Sequence, residues 1–195
     1  MSFVKTIKID NTAVEIKFGE YKYEDLVIDI ERVRNYCREG CPNFGVNGGC
    51  PPFSPTANQL LKDKNFILVI GKINTTDYTK DEFKEADKTL NKLLKSIGLM
   101  FKEKYGIEFL SPEHCTECDV CTIHEGCKKS DKRTISITGT GIMLSETIEN
   151  LFHEKLEWAN EKPPSKLIKI MCIISDNLTE KILEEFKNLS INNKL

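Results

Sequence analysis

Seven of the eight cysteines in this chain fall into two tight groups. Cys37, Cys41 and Cys50 are spaced C-x3-C-x8-C and run into Pro51-Pro52. Cys115, Cys118, Cys121 and Cys127 are spaced C-x2-C-x2-C-x5-C. Three cysteines two residues apart wrap a short loop around one inorganic core, as bacterial ferredoxins do with C-x2-C-x2-C-x3-C-P around a cubane iron–sulfur cluster. Structural zinc sites more often draw two thiolates from each of two separated C-x2-C knuckles. The middle cysteine of the triple is surplus for zinc and required for a cubane. The leading expectation is therefore an iron–sulfur cofactor, one or two 4Fe–4S clusters, with zinc as the alternative.

All seven cysteines are candidate metal ligands, and they divide as four and three. The second group can hold one cluster by itself. Its x5 gap, and Lys128 where a ferredoxin has proline, depart from the ferredoxin pattern and leave open which cluster Cys127 serves. The first group can hold a cubane whose fourth iron is open or bound by something else. Alternatively Cys50, which precedes a proline, can act as the remote fourth ligand to Cys115, Cys118 and Cys121, a crossing known from two-cluster ferredoxins. A single cluster beside unrelated loop cysteines is the plainer alternative.

Other reactive residues invite plainer readings. Cys172 sits in the apolar run Ile170-Met-Cys-Ile-Ile and reads as core. His114 and His124 flank the second group, where imidazole can replace thiolate in some clusters; hydrogen bonding within the loop is the simpler role. His153, beside Phe152 on a helix, reads as a surface residue. Lys128, Lys129, Lys132 and Arg133 would raise the potential of a nearby anionic cluster and could dock an acidic redox partner, or they form a solvated loop. Gly139-Thr-Gly141 lacks the third glycine and the Lys-Ser/Thr of phosphate loops and reads as a turn. No Ser/His/Asp set or carboxylate pair stands out by spacing.

The elements that must position these groups follow from periodicity. Val4–Ile9 and Ala13–Phe18 read as a hairpin about Asp10-Asn11-Thr12. Asp29 caps a helix to about Arg38, with Ile30, Val33 and Cys37 on one face and Gly40 ending it, so Cys37 and Cys41 stand about one turn apart. Gly40 to Pro55 is too rich in Gly, Pro and Asn for a helix or central strand. Ser54-Pro55 is expected to open the next helix, with Leu60 and Leu61 inward. Asn65–Ile73 and Lys166–Ile174 are apolar runs of strand length. Thr79–Tyr105 is the strongest helix: Thr79 and Glu82 form a capping box, Tyr78 and Phe83 a staple, and Gly98 marks a possible break. Ile107–Leu110 and Thr134–Thr138 read as short strands. Ser145–Asn160 and a segment capped by Asn177 read as helices. The expected fold is α/β or α+β, a layered sheet with flanking helices and two cysteine-rich metal-binding loops at 37–55 and 111–133.

The length, 195 residues, suits one domain over 1–195, and the 39% hydrophobic content suffices for a real core. The net charge of −2 gives no case for nucleic-acid binding. No apolar run reaches the roughly 20 residues of a membrane span, and the first ten residues lack the pattern of a signal peptide. A cytoplasmic location is expected, where clustered cysteines mean metal or catalysis more than disulfides.

Tyr36-Cys37-Arg-Glu-Gly-Cys41-Pro-Asn-Phe-Gly with Cys50-Pro51-Pro52, followed by Cys115-x2-Cys118-x2-Cys121-x5-Cys127, resembles an uncharacterised cysteine-rich family common in anaerobes and described as predicted metal-binding proteins. The resemblance runs roughly from the first group to Ile142. Typical members follow the last cysteine with Arg-x-Pro and then Ser-Met-Glu-Ala-x-Gly-Ile-Asp. Here Ser136, Gly141 and Ile142 match, while Thr138 and Met143 replace the acidic residues. The resemblance implies metal binding by the seven cysteines and no particular reaction. Three functions are open: an iron–sulfur protein for electron transfer or a redox accessory role, an enzyme whose three-cysteine cluster binds substrate at an open iron, and a module with structural zinc.

Overall fold

The computed structural model describes residues 2–9, 12–158 and 162–189. The chain forms an α+β fold: a six-stranded mixed sheet, ordered β1-β2-β3-β6-β4-β5, with helices on both faces. Strands β1 (Ser2–Ile9) and β2 (Thr12–Tyr21) form the expected hairpin; its Asp10-Asn11 turn lies outside the described residues. The two apolar runs become the central pair, β3 (Phe66–Asn74) and β6 (Lys166–Ile174), antiparallel and in register from Phe66↔Ile174 to Asn74↔Lys166. Both are apolar on both faces because helices cover both faces. Strand β4 (Phe109–Ser111) pairs antiparallel with β6, and β5 (Ile135–Ser136) runs parallel to β4 at the edge.

One face packs Ile67, Val69, Ile73, Met171 and Ile173 under α3 (Lys80–Tyr105) and α5 (Thr179–Asn188). The other packs Phe66, Leu68, Ile70, Ile170 and Cys172 under α2 (Ala57–Leu61) and α4 (Leu144–Phe152). Helix α1 (Ile30–Gly40) starts where expected, with the Asp29 carboxylate accepting from the Arg32 N–H at 3.0 Å. Asp29 N–H also donates to Gly141 O at 2.9 Å, which ties the helix start to the turn after β5.

Several boundaries differ from expectation, each for a local reason. Helix α2 is capped by Thr56, not Ser54, because Gln59 lies three residues beyond Thr56 and completes a reciprocal capping box. Helix α4 stops at Phe152, not Asn160: His153 turns left-handed at φ 54° and releases Glu154 toward three lysines of the sheet. Strand β5 is two residues long and gives way to a tight turn at Ile137–Gly139. Helix α5 begins at Thr179, after a turn over Asp176–Leu178 that takes up Asn177. Helix α3 runs unbroken through Gly98, where a Cβ would overlap the Phe109 ring. That glycine is a packing contact between α3 and β4, not a hinge.

Candidate metal centre

The parallel strands β4 and β5 end side by side, and each feeds an irregular segment. Beyond β4, Pro112–His114 leads into the second cysteine group, which continues with a short turn at Ile123–Glu125. The first group begins on the last turn of α1, where Cys41 N–H donates to Cys37 O at 3.1 Å. The chain then folds through successive turns to Cys50 and the cis Pro51-Pro52 bond.

The two groups lie against each other. The buried Asn47 is the clasp: its Nδ2 donates to Cys115 O at 2.8 Å, and its Oδ1 accepts from Gly49 N–H at 2.9 Å and Cys115 N–H at 3.2 Å. Gly48 N–H donates to the Cys121 sulfur at 3.3 Å. Ser136 N–H donates to Gly49 O at 2.9 Å, which fastens the first loop to the sheet edge. Gly49 has no room for a side chain, since a Cβ would meet Thr134 O and come within 3.0 Å of Cys115 N. A ring nitrogen of His124 hydrogen-bonds Gly45 O at 2.7 Å, and its ring packs edge-on against Phe53 at 5.1 Å. His124 therefore joins the loops; His114 lies on the other side, at a cleft described below.

Two distinct hollows result. Cys115, Cys118, Cys121 and Cys127 all line one small enclosed cavity, together with Gly48, Lys129 and Arg133. Lys129 Nζ donates to Glu117 O, so the cation is held there by the loop itself. Cys41 and Cys50 line the second hollow, a cleft of about 610 Å³ that opens toward α3. Cys37 is the partner of this pair one turn back on α1. Among the described residues, no three His, Cys, Asp or Glu side chains converge as ligands of a single ion. Cys172 stands apart from both groups, fully buried opposite Leu68 and Leu110.

The electrostatics of the thiols bear on whether metal fits. Burial, then the neighbouring Cys41, Cys37, Cys115 and Cys121, pushes the Cys50 thiol up to about 12. Burial and Cys41 also raise Cys37, with Arg34 opposing. A thiol so placed stays protonated until positive charge enters the nest, and a metal that binds as thiolate complex supplies that charge while releasing the protons. Cys172 is raised by burial alone, as in a core cysteine. The chemistry of this donor set, seven free thiols on two adjoining loops, fits a metal centre.

Residues 22–174 match the family described as predicted metal-binding protein, DUF2284. The chain belongs to this family of predicted metal-binding proteins. The matched span holds both cysteine groups, β3 to β6 and α1 to α4, and omits both strands of the N-terminal hairpin and α5. No curated protein and no solved structure matches the chain.

Sequence reasoning missed two features of the site. Asn47 reads only as part of an Asn-Gly-Gly turn, because its hydrogen bonds cross 68 residues to Cys115. Lys88, Lys92 and Lys95 recur at helical spacing on α3 and line the cleft beside Cys41 and Cys50. Their i, i+4, i+7 repeat was the available signal.

Proposed function

We propose that the chain is an iron–sulfur protein with two centres, which serves in electron transfer or as a redox accessory. Cys115, Cys118, Cys121 and Cys127 hold a 4Fe–4S cluster with thiolates alone. Cys37, Cys41 and Cys50 hold a second, with one iron left to a ligand other than cysteine. The observation that carries the reading is that the four thiols of the second group line one cavity. The C-x2-C-x2-C triple in that lining favours a polynuclear core over one zinc ion.

The bound cluster would supply one-electron chemistry; the chain's own residues bind and tune it. Gly48 N–H donates to the Cys121 sulfur, and Lys129 and Arg133 add positive charge at the cavity wall. Hydrogen bonds to sulfur and nearby cations both favour the reduced, more negative state and raise the potential. Asn47, three residues before Cys50, is hydrogen-bonded to both Cys115 N–H and Cys115 O, so the two centres would be neighbours. A specific observation favours a catalytic role for the first centre: Cys41 and Cys50 face an open cleft, whereas the four-thiol cavity is enclosed.

Single cysteine replacements test the assignment. Cys118→Ser should lose about half of the iron and sulfide of anaerobically purified protein. Cys172→Ser should keep all of both, since serine there only adds a polar group to an apolar core. Equal loss from the two variants would show that the ligands are misassigned.

A further inference from the structure

The sheet has an open edge in its interior. Strand β4 pairs with β6 at Phe109↔Ile173 and Leu110↔Cys172, and Ile174 N–H donates to Glu108 O at 2.9 Å beside them. Strand β6 begins at Lys166, so its first residues run on past the end of β4. In an antiparallel pair the N–H and C=O of one residue face the same neighbour, and alternate residues face opposite neighbours. Ile174 and Cys172 face β4, so Ile170 and Ile168 turn their backbone groups to the same side. Continuing the register would bring Pro112 opposite Ile170, and proline has no N–H to give. Among the described residues, no hydrogen bond reaches the backbone of Ile168 or Ile170 on that side. Unpaired strand groups of this kind are a template for another extended chain.

The gap opens onto two hollows, one on each face of the sheet. On the α4 face, Ile168 and Ile170 line an apolar pocket of about 150 Å³ with Leu144, Leu156 and Trp158, which is 74% exposed. The carboxylate of that pocket, Glu157, is engaged by Ser165 N–H at 2.8 Å. On the α3 face lies the cleft of about 610 Å³ beside Cys41 and Cys50, lined by Lys88, Lys92, Lys95 and Lys169 against Asp87 and Glu113. Pro112, Thr138 and Lys169 line both hollows, so the two meet at the gap. The lysines are not equivalent. Lys169 is taken up by Asp87 at 2.7 Å and Lys95 by Glu117 at 2.8 Å. Lys88 pairs with Glu85 at 2.7 Å, but both side chains are more than 70% exposed, so that pair is weak and exchangeable. Lys92 has no carboxylate within ion-pair distance among the described residues. The cleft thus keeps positive charge free, and the pocket across the sheet is apolar.

We propose that this gap binds an extended peptide in which apolar and acidic residues alternate. Its backbone pairs with Ile168 and Ile170, in the place where β4 leaves the sheet. Successive side chains of a strand point to opposite faces. An apolar side chain therefore enters the pocket beside Trp158, and the next, an aspartate or glutamate, faces Lys92 and Lys88 in the cleft. The partner is a protein segment of that pattern, held beside the first cysteine loop. The proposal rests on the sheet edge and its two hollows, goes beyond the metal reading and is independent of it.

The test uses the full chain, purified anaerobically. Iron and sulfide are counted on each sample, so that a failed groove is seen apart from failed clusters. The probe is the pentapeptide acetyl-Val-Asp-Val-Asp-Val-amide. Trp158 is the only tryptophan of the chain, so binding is read by its fluorescence and by calorimetry. The peptide should bind with a Kd under about 1 mM and shift the Trp158 emission. Methylating its backbone nitrogens should weaken binding at least about tenfold. Reordering the same residues as acetyl-Val-Val-Val-Asp-Asp-amide should do the same, since alternation is lost. Lys92→Gln should weaken the alternating peptide about threefold at unchanged iron content. An alternating peptide that does not bind overturns the proposal. So does a methylated or reordered peptide that binds equally well, because neither backbone pairing nor alternation would then matter. Unchanged affinity in Lys92→Gln would remove the cleft from the site and overturn the acidic half of the pattern.

Discussion

Replacing Asn47 with alanine should unfasten the two cysteine loops without touching a cysteine. The side chain makes three hydrogen bonds, to Cys115 O, Cys115 N–H and Gly49 N–H. Each is worth about 1 kcal/mol when lost with both partners rehydrated, and more when a buried partner is left without one. Asn47 is 7% exposed and Gly49 is buried, so water reaches the freed groups poorly. The expected cost is about 3 kcal/mol, which for a domain of this size lowers Tm by about 6–12 °C. The Cys121 sulfur would lose its orientation by Gly48 as well, so the visible spectrum should change along with stability. Asn35→Ala is the control: Asn35 accepts one hydrogen bond, from Arg38 on the same helix. The assay is anaerobic thermal unfolding followed by far-ultraviolet dichroism and visible absorption. If Asn47→Ala melts within about 2 °C of the parent and keeps its spectrum, Asn47 does not hold the loops together.

Glu154 accepts from Lys17 at 2.5 Å and Lys72 at 2.6 Å, with Lys166 at 3.4 Å. Burial alone would raise its pKa, but the hydrogen bonds and charges of Lys17 and Lys72 outweigh burial and hold it at about 2. Because the folded value lies below the unfolded one, this stability is complete above about pH 4.5 and fades as pH falls toward 2. Glu154→Gln should therefore cost roughly 2–3 kcal/mol at pH 7, by urea unfolding, and the gap should close in acid; a gap that widens in acid would reverse the sign of the effect. Gly98→Ala gains about 1 kcal/mol in helix propensity but drives a Cβ into the Phe109 ring, which costs about 1–3 kcal/mol. The net should be destabilising, a Tm lower by a few degrees; a higher Tm would mean that α3 can slide on β4 freely.

Much of the scaffold was legible because its signals are local. Apolar runs named the central strands to within a residue, and the Thr79/Glu82 box started α3 where it begins. Boundaries failed where tertiary contacts compete with pattern. The helix expected to continue past Phe152 was overridden by the lysines that draw Glu154 to the sheet. Cysteine spacing divided the thiols between two loops, since neighbours in sequence are neighbours in a loop. It said nothing of how the loops meet, because that is decided by Asn47, His124 and the parallel pairing of β4 with β5. It was equally silent on the cleft, whose walls come from parts of the chain up to 128 residues apart, Cys41 to Lys169.

The most direct measurement is iron, zinc and acid-labile sulfide per chain in protein prepared anaerobically with both metals available. Two cubanes require about eight irons and about eight sulfides, with zinc near zero. About four of each would leave only the four-thiol centre and remove the second. Zinc bound without sulfide would contradict the iron–sulfur assignment outright.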